Sequence, residues 1–218
     1  GSFAFNQGSL FVLGACLCWG FENNCTKMIS NKNPVDIVII KGLFSGLGSL
    51  IVSIVINEVT SSIRPVMNNF VGSSVYPEDI FFNSEQALEA VDPNTVVIVV
   101  DVNRPSYTEC EELLAHTKNI VVIDHHRQTG EVIEHATLSY IEPFASSACE
   151  MVAEILQYSM DKPKLRPVEA DAMYAGILVD TDNFLTKTGV RTFEAASFLR
   201  KSGADMIRVR KAFRSDMD

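Results

Sequence analysis

Two short runs of β-branched residues, each followed by an acid, constrain the fold more than any other feature of the sequence. The runs are Val96–Val100 and Ile120–Ile123, and continuous apolar runs of this length are typical of strands buried on both faces of a parallel sheet. Asp101 directly follows the first run and Asp124 directly follows the second. Because open α/β sheets bind ligands at the carboxyl edge of their strands, the two acids are predicted to project there together.

Helix signals alternate with these strands and predict an α/β fold built on a parallel sheet. A Ser-x-x-Glu spacing is a capping box that marks a helix start, proline favours the first helical position, and glycine is common just past a helix end. The first three predicted helices begin at Ser106-x-x-Glu109, Ser147-x-x-Glu150 and Pro167, and the fourth covers Arg191–Ser202 before Gly203.

A candidate metal site lies where the second run ends, because Asp124 continues into His125 and His126. Carboxylates and imidazoles together suit Mn²⁺, Zn²⁺, Fe²⁺ or Mg²⁺. Two alternatives remain open. An aspartate after a strand can serve only as a turn former or a helix cap, and adjacent histidines can be surface residues. Asp182 is assigned to a polar turn and not to the metal site.

The N-terminal quarter of the chain differs in character from the rest and is predicted to form a transmembrane helical hairpin. Two apolar stretches, Leu10–Phe21 and Ile37–Ile56, are separated by a polar interval. A membrane-spanning helix needs ~20 apolar residues, a length that the second stretch reaches. Gly42-x-x-x-Gly46 is a spacing that lets membrane helices approach closely. A buried soluble hairpin is the alternative. The predicted domains are residues 1–56 and 57–218.

Several segments downstream of residue 57 share residues with a known family, namely Val99–Pro105, Asp124–Arg127, Tyr140–Ser147, Ala175–Thr181 and Thr188–Ala196. These segments resemble the DHH phosphoesterase family, and within it the membrane-bound cyclic-di-AMP phosphodiesterases of Gram-positive bacteria. The implied fold is a partial, parallel-sheet DHH domain. Residues 8–55, through Ala15–Gly20 and Ile40–Gly48, are similar to a helix pair of EamA-type drug/metabolite transporters.

The DHH resemblance implies a hydrolase with two metal ions, usually Mn²⁺. By this resemblance Asp101 bridges the two ions, and His125 and Asp180 are further ligands of the second ion. His126 is placed to touch the scissile phosphate. Asp124 is implied to orient the histidine pair through hydrogen bonds outside the metal's own ligand set.

The resemblance also implies a substrate, namely a cyclic dinucleotide such as cyclic-di-AMP that is opened to the linear dinucleotide. Arg127 and Arg191 are candidates to bind its phosphates bidentately, with a surface or helix-terminal charge as the alternative for each. A net charge of −9 argues against a nucleic-acid polymer as partner. The implied location is the cell membrane with the DHH domain in the cytoplasm, and a homodimer is an open alternative.

The sequence departs from the family pattern in its metal ligands. The family's first metal-binding motif, of the His-x-x-x-Asp-x-Asp type, is not found, since no histidine precedes His116. A C-terminal DHHA1 domain is not found before Asp218 either. We therefore expect at most one Mn²⁺ to bind well and the hydrolysis to be impaired. The alternatives are an inactive truncated or chimeric DHH protein and a fragment of a drug/metabolite-type membrane transporter.

Overall fold

The computed structural model describes residues 53–57, 59, 64–71, 76, 80–159 and 165–214. Residues 10–21 and 37–52 of the predicted hairpin lie outside these residues. The end of its second apolar stretch is described, and there Ile54–Val55 form a β-strand, so the prediction that the hairpin extends to residue 56 is wrong. Within the described part of the chain, no helix is both long and apolar enough to cross a membrane. A compact unit comprises residues 52–154 and 164–218, and the site described below lies within it.

The strands form two small parallel sheets, which confirms the predicted α/β class with parallel pairing. A sheet of three strands has the order β3-β4-β5, with β4 paired to both neighbours, and a sheet of two strands pairs β1 with β2. The bounds are β1 Ile54–Val55, β2 Phe81–Phe82, β3 Val96–Val100, β4 Asn119–Asp124 and β5 Leu138–Ile141.

The two strands that carry the acids differ in burial. In β4 the residues Ile120, Val121 and Val122 are all buried, as the continuous apolar run predicts. In β3, by contrast, Ile98 is 49% and Val100 is 44% exposed. The prediction of burial on both faces is therefore wrong for β3. This strand pairs only with β4 among the described residues, and only its Val97–Val99 side packs against the core.

Seven helices occur in the described residues, and three of the four predicted ones are confirmed. Ser147 Oγ accepts a hydrogen bond from the backbone N–H of Glu150 at 3.0 Å, as a capping residue does. Gly203 follows the fourth predicted helix with φ 108°. The bounds are α1 Arg64–Met67, α2 Ser84–Ala90, α3 Leu113–His116, α4 Ala148–Ser159, α5 Pro167–Asp180, α6 Val190–Lys201 and α7 Met206–Arg214.

The helix predicted from Ser106-x-x-Glu109 is wrong. A 3₁₀ turn at Pro105–Tyr107 occupies this position, and α3 begins only at Leu113. Both members of the expected capping box bond to distant residues instead. Ser106 Oγ donates to Glu131 at 2.8 Å, and the Glu109 carboxylate accepts from the backbone N–H of Asn57 at 3.0 Å. These tertiary partners remove the hydrogen bonds that would have started a helix at residue 106.

An alanine-rich core holds α5, α6 and α7 together. Small side chains let helix axes approach closely, and larger residues such as Ile177 and Leu199 fill the space that remains. Both of these residues are fully buried. The core fixes α5, whose last residue is Asp180. The buried alanines of this cluster are Ala153, Ala170, Ala175, Ala195, Ala196 and Ala204.

Gly176 of α5 lies against Cys149 of α4, and a substitution there gives a stability prediction. A Cβ at Gly176 would lie 2.4 Å from Cys149 Sγ. We expect Gly176→Ala to lower the free energy of unfolding by ~1–3 kcal/mol through this overpacking. In a Cys149→Ala background the same change should instead stabilise by ~0.5–1 kcal/mol, because alanine favours a helix over glycine. Urea unfolding of the wild type, the two single variants and the double variant measures both changes in unfolding free energy. If Gly176→Ala changed the unfolding free energy equally in both backgrounds, it would show that the added Cβ does not meet Cys149.

Candidate functional site

Asp101 and Asp124 lie at the carboxyl ends of β3 and β4, where the sheet register places them side by side. The backbone N–H of Asp101 donates to the carbonyl of Ile123 at 3.0 Å, which extends the pairing of the two strands. Asp101 has φ 70°, a left-handed conformation that aspartate tolerates better than most residues. Its side chain is about half exposed, whereas that of Asp124 is fully buried.

Asp124 is held by three hydrogen bonds and in turn fixes His126. Its Oδ2 accepts from Asn103 Nδ2 at 2.5 Å, and its Oδ1 lies 3.2 Å from the backbone N–H of His126 and 2.8 Å from His126 Nδ1. Because a carboxylate oxygen only accepts, Nδ1 of His126 carries the proton in this arrangement. Nε2 of His126 takes no part in these hydrogen bonds, and the side chain is 57% exposed.

His125 is buried and directs one nitrogen at two carboxylates. Its Nδ1 lies 3.3 Å from the carbonyl oxygen of Ala145, which can only accept. Its Nε2 lies 3.2 Å from Asp101 Oδ1 and 3.9 Å from Asp180 Oδ2. Neither contact has hydrogen-bond geometry, so this buried nitrogen has no hydrogen-bond partner. The Asp101 carboxylate raises the pKa of His125, because it stabilises positive charge on the ring.

Asp180 completes the cluster from the opposite side, at the C-terminal end of α5. Burial raises the pKa of its carboxyl, and the charge of Asp101 raises it further. The carboxylates of Asp101 and Asp180 thus disfavour each other's ionisation, and Nε2 of His125 faces both of them without a hydrogen-bond partner. One ligand atom from each of Asp101, Asp124, His125 and His126 lies within 4.8 Å of the others. This donor set fits a divalent cation.

The structure thus brings together all five residues that the sequence analysis assigned to metal binding and to the histidine motif. The two arginines are placed differently. Arg127 is exposed next to His126, and no hydrogen bond or ion pair joins its side chain to the described residues. Arg191 donates from Nε and Nη2 to the Glu154 carboxylate, both at 2.7 Å, and this pairing raises its pKa. The phosphate-binding role of both arginines stays a prediction.

Further acids surround Arg191 and connect it indirectly to the site. Its Nε lies 3.8 Å from the buried Glu150, whose Oε2 accepts from Ser146 Oγ at 2.5 Å. Ser146 follows Ala145, the residue whose carbonyl faces His125. Glu142, whose backbone N–H bonds to the carbonyl of Asp124, lies 3.9 Å from Arg191 Nη1. Arg191 therefore braces the turn that carries the Ala145 carbonyl.

Sequence reasoning missed two neighbours of the cluster. Asn103 is 4% exposed and bonds to Asp124, and its position two residues after Asp101 in a polar segment was the only available signal. Cys149 lies near the cluster from α4. Burial, with the charges of Asp180 and Asp101, raises the pKa of its thiol to about 12. The thiol of Cys149 therefore stays protonated near neutral pH in the metal-free protein.

The family model described as "DHH family, N-terminal domain" matches residues 12–177. This range begins upstream of the domain boundary predicted at residue 56. Two curated relatives are each called "Cyclic-di-AMP phosphodiesterase GdpP". The protein from Geobacillus thermodenitrificans is 50% identical over 133 residues, 61% of this chain and 20% of the relative. The protein from Bacillus subtilis is 39% identical over 165 residues, 74% of this chain and 24% of the relative. The chain thus spans a quarter or less of these relatives.

A solved structure supports the fold independently. The exopolyphosphatase-related protein from Bacteroides fragilis superposes with a TM-score of 0.62 at 17% sequence identity, covering 83% of this chain and 52% of that protein. At this identity the likeness concerns the fold alone. It agrees with the parallel α/β arrangement described above.

Proposed function

The chain belongs to the DHH family, and on this basis we propose that it hydrolyses a phosphodiester bond of a cyclic dinucleotide, opening cyclic-di-AMP to the linear dinucleotide. The single observation that carries the proposal is the buried Nε2 of His125, which faces the Asp101 and Asp180 carboxylates with no hydrogen-bond partner. Such a nitrogen is a ready metal ligand. The names of the two bacterial relatives support the choice of substrate.

The proposed cofactor is Mn²⁺, held by Asp101, His125 and Asp180. The mixture of carboxylate and imidazole suits this ion, and these residues supply ligands for one well-bound ion. When bound, a divalent cation lowers the pKa of a water molecule and neutralises charge on phosphoryl oxygens. Asp101 would hold the ion from the loop directly after β3, and Asp180 would hold it from the last residue of α5.

His126 is proposed to contact the scissile phosphate. Asp124 accepts from Nδ1 and fixes the ring, so that Nε2 at the open edge of the sheet can donate a hydrogen bond to a phosphoryl oxygen when it is protonated. Arg127 and Arg191 are proposed to bind phosphate oxygens. Arg127 has its full set of donors available toward solvent, while Arg191 has Nη1 outside its paired contacts with Glu154.

The location and assembly of the protein are also proposals. We propose that the apolar residues before β1 form a membrane hairpin of the kind found in drug/metabolite transporters, which would hold the DHH domain at the cytoplasmic face of the cell membrane. The apolar residues 10–21 and 37–52 support this placement. A homodimer is compatible with it.

The proposal is tested by incubating the full chain with cyclic-di-AMP in the presence of Mn²⁺ and separating the nucleotides by chromatography. The expected result is a linear dinucleotide that appears with Mn²⁺ and not with excess EDTA. A short linear oligoribonucleotide, run in parallel, shows whether the cyclic ester is preferred. Absence of turnover at high enzyme concentration would contradict the proposal, and calorimetric binding of a single Mn²⁺ without turnover would favour the inactive-relative alternative.

A further inference from the structure

We infer that Asn103 is a positioning residue that fixes the tautomer and the orientation of His126 through Asp124. Asn103 is 4% exposed and lies in the loop after β3, two residues past Asp101. Its Nδ2 donates to Asp124 Oδ2 at 2.5 Å and to the backbone carbonyl of His126 at 3.2 Å. One amide group therefore holds both the carboxylate that orients the His126 ring and the backbone that carries this ring.

The chemistry of the two partners determines which way the Asn103 amide points. A carboxylate oxygen and a carbonyl oxygen both accept, so the NH₂ group and not the oxygen of the amide must face them. The two N–H bonds of the amide then match the two acceptors. Among the described residues, Asn103 is the only donor to Asp124 Oδ2, because His126 occupies Oδ1.

Loss of this donor has a consequence that reaches His126. Asp124 is fully buried, so an unpaired Oδ2 cannot turn to water and must find another donor. The nearest donors in its own network are the backbone N–H and Nδ1–H of His126, and a carboxylate that rotates toward one of them releases the other. Without a fixed hydrogen bond between Nδ1 and Asp124, the ring of His126 is no longer held in one orientation, and its proton is no longer held on Nδ1.

The test reads the His126 tautomer directly in the metal-free full chain. Long-range ¹H–¹⁵N correlation spectra distinguish a protonated ring nitrogen from one with a free lone pair. The chain has four histidines, and the His126 signal is assigned by its absence in His126→Gln. We expect Nδ1–H in the wild type. In Asn103→Leu, which removes both donors at similar volume, we expect a shift toward the Nε2–H form that free histidine prefers.

Two further variants separate positioning from general stability. Thr192→Val removes another buried hydroxyl, which accepts from the Gly189 N–H at 3.0 Å outside this network, and should leave the His126 spectrum unchanged. Asn103→His keeps one donor near the position of Nδ2 and should restore the wild-type tautomer at least in part. A wild-type His126 without Nδ1–H, or a folded Asn103→Leu that retains it, would overturn the inference. If Asn103→Leu does not fold, the smaller Asn103→Ala also removes both donors, and a retained Nδ1–H signal there would overturn the inference equally.

The effect on activity rests on the proposed function. In Asn103→Leu the kcat for cyclic-di-AMP should fall ~10–100-fold, as is typical when a residue outside the ligand set that orients a site is lost. KM should change little, because Asn103 is buried and does not touch the substrate. Because the tautomer is measured without substrate or metal, an inactive wild type would count against the proposed function and leave the spectroscopic result decisive for Asn103.

Discussion

Asp101→Asn is expected to abolish Mn²⁺ binding and hydrolysis while leaving the fold intact. The substitution keeps the shape of the side chain but removes the negative charge closest to His125 Nε2, 3.2 Å away. An amide oxygen is a weaker ligand than a carboxylate and cannot bridge two cations well. Since loss of a residue that merely orients a metal ligand costs ~10–100-fold, the loss of this ligand should lower the rate by more than ~100-fold. Steady-state kinetics and calorimetric Mn²⁺ titration measure both effects.

The chain offers a closely matched control in Asp182→Asn. Asp182 is exposed, follows α5 by two residues and has φ 46°, so that both aspartates occupy the left-handed region. The exchange of aspartate for asparagine removes one charge and tolerates this backbone conformation at both positions. Asp182→Asn should retain wild-type Mn²⁺ affinity and rate. An Asp101→Asn variant with more than a tenth of the wild-type rate would show that Asp101 is not a metal ligand.

The convergence of Asp101, Asp124 and the two histidines was predictable from the sequence, because it depends only on strand order within a parallel sheet. Val96–Val100 pairs in register with β4, and the residues that follow each strand must then be neighbours. Asp180 was different. Asp180 is the last residue of a helix and lies 56 residues after Asp124. No sequence periodicity relates the two aspartates, and only the family resemblance indicated the role of Asp180.

The hydrogen bonds that orient the site could not be predicted. Asn103 and the Ala145 carbonyl belong to loops, and their partners are set by where each loop meets β4 rather than by spacing along the chain. The capping box at Ser106 failed for the same physical reason, since Glu131 bonds to it from a distant segment. Local sequence patterns therefore predicted the strands, most of the helices and the types of ligand residue. The hydrogen bonds that orient the site side chains depend on tertiary contacts, which these patterns do not contain.

The electrostatics of the cluster explain why such precise orientation is needed. Asp101, Asp124 and Asp180 converge on two imidazoles with no arginine or lysine bonded to any of them among the described residues. The Asp124 carboxylate accepts hydrogen bonds from Asn103 and His126, whereas the Asp101 and Asp180 carboxylates both face Nε2 of His125. A divalent cation there would relieve the repulsion between these carboxylates. Asp124 is therefore the hydrogen-bonded acid of the cluster, while metal binding by Asp101 and Asp180 stays a prediction from the family resemblance.

Leu199→Ala is expected to produce the largest loss of stability, about 3–5 kcal/mol in the free energy of unfolding. Leu199 is fully buried in α6, within the cluster that packs α5 and α7. Six of the eleven buried residues in this cluster are alanines, whose Cβ atoms move only with the backbone. The cavity left by the lost isobutyl group cannot be filled by rotation of these side chains, so the cost should lie near the upper end of the range for leucine truncation.

Urea unfolding followed by circular dichroism measures this loss, with Ser197→Ala as the control on the same helix. Ser197 is exposed, and its truncation should change the unfolding free energy by no more than ~0.5 kcal/mol. A loss below ~1 kcal/mol for Leu199→Ala would mean that α5 and α6 close together over the cavity. In that case Asp180, at the end of α5, would move with its helix, and a weakened Mn²⁺ affinity in the folded variant would reveal the displacement. With the expected rigid core, the folded variant keeps its Mn²⁺ affinity and loses only stability.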